Sequence, residues 1–356
     1  MRKIFFFVLI SVCATAGAQI PPGYYDDAQG LTGQPLHEAL HDIIKNHNDI
    51  SYGGLWDAFE YTDQKPNGKV WDIYSDVPGG NPPYQFTFFS DQCGNYGQEG
   101  DCYNREHSFP RSWFGGTVPP MNTDLFQVYP TDGYVNGKRG NYPYGEVGSA
   151  SWTSLNGSKV GSCNTPGYSG TVFEPIDEYK GDLARTYFYM ATRYLGEDGN
   201  WPGSPMVNGS QPKEWALNML FEWHRDDPVS QKETDRNNEI YSIQNNRNPF
   251  IDDPFFVDQI WFNTTLDEEI MIDAFDFSVY PNPVTDKLFV KTSTLLTERD
   301  FEFTITDVNG REIMMVQSAE STLMEFDLRE LENGLYFLQI MDVETNYRIC
   351  KKLVKE

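Results

Sequence analysis

Near Asn263 the hydrophobic pattern of this chain changes its period, and that change limits it to folds built on two different kinds of core. Before that point apolar residues recur at helical spacing: Leu36, Leu40, Ile43 and Ile44 form one stripe, and the period returns over Asp182–Tyr194 and Pro212–His224. Ser230–Gln244 reads as a polar helix. Between 67 and 130, glycine, proline and asparagine break the chain into short pieces, among them the strand-like run from Tyr84 to Phe89. Asn246–Asp252 reads as an ordered loop, because Pro249 disfavours helix while Phe250 and Ile251 call for burial. After 263 the period becomes two, in Lys287–Val290 and Phe301–Ile305. Asn309-Gly310 carries the signature of a tight hairpin, and Asn333-Gly334 precedes another strand, Leu335–Ile340. A chain of 356 residues is also too long for one ordinary core. The expectation is an α+β domain over 19–262, a polar, acidic linker over 263–276, and a small all-β immunoglobulin-like sandwich over 277–356.

The first eighteen residues read as a signal peptide: a charged Met1-Arg2-Lys3, an apolar run from Ile4 to Val12, and Ala16-Gly17-Ala18 before Gln19. Val12 before Cys13 argues against a lipoprotein, and no later segment is long and apolar enough to span a bilayer. Export through an oxidising compartment makes Cys93 and Cys102, which bracket a glycine-rich loop, candidates for a disulfide, with two free thiols as the other reading. No partner is expected between Cys163 and Cys350. The formal net charge of -25 argues against a protein coated in nucleic acid. It leaves room for an enzyme that touches a few phosphates, since Arg105, Arg111, Lys138 and Arg139 cluster where the chemistry concentrates.

Two short clusters carry that chemistry: Arg105-Glu106-His107-Ser108-Phe109-Pro110 and Val135-Asn136-Gly137-Lys138-Arg139-Gly140-Asn141. Hydrolysing a phosphodiester requires an activated water, neutralised charge at phosphorus and help for the leaving oxygen. His107 is the only nearby side chain whose ordinary pKa suits a general base near neutrality. Glu106 and Asn136 are hard oxygen donors of the kind Mg²⁺ accepts, with Mn²⁺ or Ca²⁺ as replacements. Glu106 and His107 would face opposite ways on a regular strand, so the backbone is expected to bend between them. Arg139 is assigned a catalytic role, on a phosphate or as a brace for Asn136, and Arg105, Lys138 and Asn141 are assigned to substrate binding.

These segments resemble bacterial endonuclease I, the secreted, sugar-nonspecific nucleases of ββα-metal (His-Me finger) type. The resemblance covers Arg105-Glu106-His107, Pro110, Trp113-Phe114-Gly115, Pro130-Thr131-Asp132-Gly133 and Val135 to Pro143. It extends through Gly181-Asp182-Leu183-Ala184-Arg185, Trp223 to Val229 and Gln244 to Phe250. It implies that His107 is the general base, that Glu106 and Asn136 bind Mg²⁺, and that DNA or RNA is cut to leave 5′-phosphate ends. One departure stands out. Where relatives carry a histidine or asparagine to hold the catalytic imidazole, this chain has Phe126-Gln127, so Gln127 or a backbone carbonyl must do it. The tail, with Tyr280-Pro281-Asn282-Pro283, Asp307 to Gly310, Asp327-Leu328, Gly334-Leu335-Tyr336 and Lys351 to Lys355, resembles the sorting domain of type IX secretion cargo. That implies export through the periplasm of a Gram-negative bacterium and removal of the tail, the protein being secreted or held at the cell surface with the secretion machinery as the tail's partner; the protein itself is expected to be a monomer.

Two other functions compete. His37-Glu38-Ala39-Leu40-His41 satisfies the H-E-x-x-H pattern of zinc proteases, with His47 as a third ligand. Against it, Ile44 continues the apolar stripe where a metzincin needs a glycine turn. A surface-binding protein whose nuclease has decayed is the second, favoured only by the altered Phe126-Gln127 pair.

Overall fold

The structure, a computed structural model, describes residues 20–262, 278–291, 301–307, 311–317, 323–329, 331–342 and 348–356. The expected signal peptide, the linker and the Asn309-Gly310 turn lie outside the described residues. The chain divides into two units at Asn263/Thr264.

The first unit mixes helices and sheets. It opens with α1 (Gly33–Ile44) and α2 (Leu55–Thr62), then runs irregularly to β1 (Tyr103–His107). β2 (Val128–Asp132) pairs antiparallel with β1 and leads directly into α3 (Gly133–Arg139). A three-stranded antiparallel sheet follows, from β3 (Val147–Thr153), β4 (Lys159–Cys163) and β5 (Thr171–Glu174). After α4 (Lys180–Arg193) come the short pair β6 (Val207–Asn208) and β7 (Gln211–Pro212), then α5 (Glu214–Asp226), α6 (Gln231–Gln244) and α7 (Pro249–Asp252).

α4 is the axis of this unit. Every residue from Gly181 to Arg193 is buried, so it is a helix without a solvent face, and α1, α5 and α7 pack around it. Its charged members are matched: the Arg185 guanidinium donates through Nε and Nη2 to both carboxylate oxygens of Glu233, at 2.5 and 2.9 Å. Glu233 belongs to α6, the polar helix, which has too few apolar positions to dock by burial alone. It docks through ion pairs instead, Arg185–Glu233 and Arg236–Asp63 at 2.9 Å. Ser230 starts α6 with a capping box, its hydroxyl accepting from the Glu233 amide while the Glu233 carboxylate accepts from the Ser230 amide.

Two local expectations fail for identifiable reasons. Tyr84–Phe89 forms no strand: Val70 N bonds to Phe86 O, Phe86 and Phe88 are buried, and Phe89 takes a positive φ that ends any extension. Pro249 does not forbid a helix but starts one, since at the first helical position its missing N–H costs nothing and Asn248 caps Phe250 N. The expected Cys93–Cys102 disulfide is present, and Cys163 is free.

The second unit is all-β. β8 (Ser278–Tyr280), β9 (Lys287–Lys291), β10 (Phe301–Asp307), β11 (Glu312–Gln317), β12 (Leu323–Asp327), β13 (Gly334–Asp342) and β14 (Arg348–Lys355) form two sheets, ordered β11-β10-β13-β14 and β12-β9-β8. Alternate residues of both, including Leu288, Val290, Phe303, Ile305, Phe326, Leu338 and Ile340, share one core. Among the described residues no helix is long and apolar enough to cross a membrane.

Because α6 relies on polar anchoring, Ser230→Ala is expected to lower unfolding stability by about 1 kcal/mol, read from chemical denaturation, with kcat unchanged. An unaltered midpoint would show that the cap adds nothing to α6.

Candidate active site

The two sequence clusters meet because β1 and β2 pair without interruption, from Tyr103↔Asp132 to His107↔Val128. That places the end of β1 beside the helix that follows β2. Asp132 fixes the junction: its Oδ1 caps Val135 N at 2.8 Å and its Oδ2 accepts from Gly100 N at 2.7 Å, tying α3 to the disulfide loop. Gly133 and Gly137 give α3 a bare face against which Tyr96 of that loop lies. A Cβ at Gly133 would stand 2.6 Å from the Tyr96 ring.

Glu106, His107 and Asn136 line one cleft of about 340 Å³, together with Arg105, Arg111 and Asn141. Tyr52, Trp56 and Tyr96 form its aromatic walls. The bend expected between Glu106 and His107 is absent, since the register runs straight to His107; as the last residue of β1, His107 reaches the cleft from the strand's end.

Glu106 is 2 % exposed. Its Oε1 accepts from the Tyr74 hydroxyl at 2.8 Å and from Arg139 Nη1 at 3.2 Å, while Oε2 has no hydrogen bond among the described residues. Burial raises its pKa above the ordinary carboxyl value, and Arg139 and the Tyr74 hydroxyl pull it back down. Asn136 Nδ2 donates to Asn104 Oδ1 at 2.7 Å, which fixes the carboxamide so that its oxygen is the group left over. One carboxylate oxygen and one amide oxygen in a shared cleft fit a hard divalent cation that keeps most of its waters.

His107 is 7 % exposed, and burial lowers its pKa to about 4, with the bond to Asn122 acting the other way. Its Nε2 lies 3.0 Å from the Asn122 carbonyl. A carbonyl only accepts, so Nε2 carries the proton and Nδ1 is left with its lone pair. Nδ1 has no partner among the described residues. This arrangement replaces the expected role of the Gln127 side chain, whose Nε2 donates to Met121 O at 2.5 Å. Gln127 thus secures the turn that carries the Asn122 carbonyl, one step removed from the imidazole.

The fold gives the expected cations different places. Arg139 is 1 % exposed and touches neither the cleft nor Asn136. Its guanidinium binds Glu106 Oε1, His107 O at 2.9 Å and Ser108 O at 2.7 Å, clamping the end of β1 to α3. Lys138 lies outside the cleft lining, with Nζ 5.0 Å from the Tyr134 ring centre. Arg105 lines the cleft, but its guanidinium stacks 3.6 Å over Tyr52 and donates to Tyr52 O. Sequence reasoning missed Tyr74, Asn104 and Asn122. Asn104 sits in the motif strand, on which a pairing with Asn136 could have been guessed; Asn122 acts through its backbone and leaves no signal.

The zinc arrangement does not form. His37 Nε2 donates to Thr192 Oγ1 at 3.1 Å, His41 Nδ1 to Thr192 O at 2.9 Å, and His47 Nδ1 accepts from Arg193 Nε at 2.9 Å. Glu38 is taken up by Gln34 on the outer face of α1. These histidines seat α1 on α4, and no group of three metal-binding side chains assembles among the described residues.

Arg139→Met removes the clamp and strands a buried carboxylate, so stability should fall by about 3–5 kcal/mol together with activity. Arg139→Lys should fail to restore activity, because an ammonium cannot reach three acceptors in one plane. Full rescue by lysine, in a denaturation and plasmid-nicking assay, would show that charge alone suffices.

The Endonuclease I family profile matches residues 32–255, and the profile of the secretion system C-terminal sorting domain matches residues 278–356. An extracellular ribonuclease of Bacillus amyloliquefaciens is 37% identical over 262 residues, which is 69% of this chain and 82% of that protein. An extracellular ribonuclease of Bacillus subtilis (strain 168) is 36% identical over 67% of this chain and 78% of its own length. A periplasmic deoxyribonuclease of Aeromonas hydrophila is 30% identical over 37% of this chain and 48% of that protein. The chain is a nuclease of the endonuclease I family, carrying a type IX secretion sorting domain that marks it for secretion or the cell surface.

Proposed function

We propose that this nuclease hydrolyses the phosphodiester bonds of DNA and RNA with little sequence preference, using His107 as general base and Mg²⁺ held by Glu106 and Asn136. The observation that carries the reading is the cleft itself. It brings together an imidazole with its lone pair open, a carboxylate with one oxygen open and a carboxamide with its nitrogen already occupied. When bound, the cation supplies charge neutralisation at the phosphate and the leaving oxygen.

The protein's own groups do the rest. The Asn122 carbonyl holds Nε2–H, so Nδ1 faces the cleft as the proton acceptor and takes a proton from water as that water attacks phosphorus. Its lowered pKa keeps the ring neutral across the physiological range. Arg111, exposed at the rim, and Asn141 meet the phosphate oxygens. The P–O3′ bond breaks as the water oxygen bonds to phosphorus, which leaves a 3′-hydroxyl and a 5′-phosphate end. Contacts fall on phosphates rather than base edges, which is why sequence preference is small. Support for both polynucleotides comes from relatives named as ribonucleases over most of their length and as a deoxyribonuclease over about half.

The same reading takes β1, β2 and α3 as a ββα-metal (His-Me finger) unit within 19–262, preceded by a signal peptide over 1–18. It takes 277–356 as an immunoglobulin-like sandwich, joined through the linker 263–276 and read by the type IX machinery in the periplasm of a Gram-negative bacterium. The mature protein acts as a monomer.

His107→Ala should cut plasmid and RNA degradation by about 10²–10⁴-fold while circular dichroism shows the protein still folded. Retained turnover would remove His107 from the mechanism. EDTA should stop the wild-type reaction and added Mg²⁺ restore it, with Mn²⁺ or Ca²⁺ as partial substitutes; full activity in EDTA argues against the cation.

A further inference from the structure

Aromatic side chains run on from the cleft wall to a lysine that lies outside the cleft lining. Tyr96 belongs to the cleft lining and is among the exposed large apolar side chains. Its ring stands 6.4 Å from that of Tyr134, edge to face, and Tyr134 stands 6.4 Å from Trp152 on β3. Lys138, exposed on α3, holds its ammonium 5.0 Å from the Tyr134 centre and 5.9 Å from that of Trp152. No carboxylate neutralises it among the described residues. The rings therefore continue from the mouth of the cleft over the outer side of α3, with one free cation among them.

A lysine with no carboxylate partner among the described residues, set over the rings of Tyr134 and Trp152, suits a polyanion. The rings restrict which one. Adjacent planes are inclined at 87° and 61°, so each ring turns its face in a different direction. Bases stacked and paired inside a duplex cannot present their faces to such a set. Unpaired bases can, and aromatic stacking combined with a cation on the phosphates is how single strands are held without sequence preference.

The geometry points to Tyr96, Tyr134 and Trp152, with Lys138, as a platform that binds the single-stranded continuation of the substrate outside the cleft. The inference rests on the nuclease reading and names its preferred substrate class: unpaired DNA or RNA longer than the cleft itself. Lys138 leaves the ring faces to meet a phosphate, and the bases beside that phosphate take its place on Tyr134 and Trp152.

The test uses the full chain bearing His107→Ala to block turnover, with fluorescence anisotropy of a labelled single strand of roughly 16 nucleotides and of its duplex. The single strand should bind more tightly than the duplex. Trp152→Ala and Tyr134→Leu should each weaken single-strand binding about tenfold, Trp152→Phe should keep most of it, and Lys138→Gln should lower the salt slope by about 1. Where Trp152→Ala does not fold, Trp152→Leu keeps the apolar volume and loses the stacking face, so the same comparison holds. Unchanged single-strand binding in these variants, or an equal loss for the duplex, overturns the platform. A chain with His107 intact that degrades no polynucleotide overturns the underlying nuclease reading instead, and the two failures are separate measurements.

Discussion

The site depends on one buried guanidinium. Arg139 closes α3, yet its side chain runs back under β1 and binds the Glu106 carboxylate and the carbonyls of His107 and Ser108. Those acceptors lie in consecutive residues, so the clamp fixes the part of the chain that supplies both the His107 imidazole and the Glu106 carboxylate to the cleft. Burying the charge is tolerable because Glu106 opposes it and the Tyr144 ring covers it, 4.6 Å from the guanidinium carbon. The consequence for chemistry is a division of the carboxylate. Oε1 is committed to Arg139 and Tyr74, and Oε2 alone is available to the cleft.

A second fixed point sets the imidazole. The turn from Pro120 to Gln127 presents the Asn122 carbonyl to His107. Its own position comes from deeper groups: Gln127 donates to Met121 O, and the buried Asp124 carboxylate accepts from Tyr189, Tyr194 and Gln244. Orientation of the His107 imidazole is therefore distributed over a polar network reaching α4 and α6, and no single side chain fills the place of the histidine or asparagine that the family resemblance leads one to expect. This accounts for Phe126-Gln127 without invoking decay. Phe126 packs on Tyr189 at 4.5 Å, and Gln127 works through its neighbour's backbone.

How much of this could be read from residues alone varies with how local the cause is. The helical periods of α1, α4 and α5, the polar helix α6 and the alternating strands of the tail follow from neighbours in sequence, and they appear within a few residues of the expected bounds. Glu106, His107 and Asn136 could be named because motif residues carry their chemistry in the side chain. What stayed hidden acts at long range or through the backbone. Tyr74 comes from an irregular stretch and meets Glu106 only through tertiary packing, and Asn122 offers a carbonyl that any residue would offer. Tyr84–Phe89 looks like a strand because its aromatics suit one, but Phe86 and Phe88 are buried against Tyr103 and Phe89 turns outward.

Charge shows the limit most clearly, since four cations flank the motif in sequence and the fold gives each a different task. Arg139 is structural, Arg105 lies on Tyr52 and Trp56, Lys138 faces the aromatic side of α3, and Arg111 remains at the cleft rim. A cleft with so few open cations holds phosphate weakly. For an enzyme that must release a cut polyanion this is an advantage: rapid departure follows from sparse charge, and residence on the substrate is left to stacking, which salt screens less than it screens ion pairs.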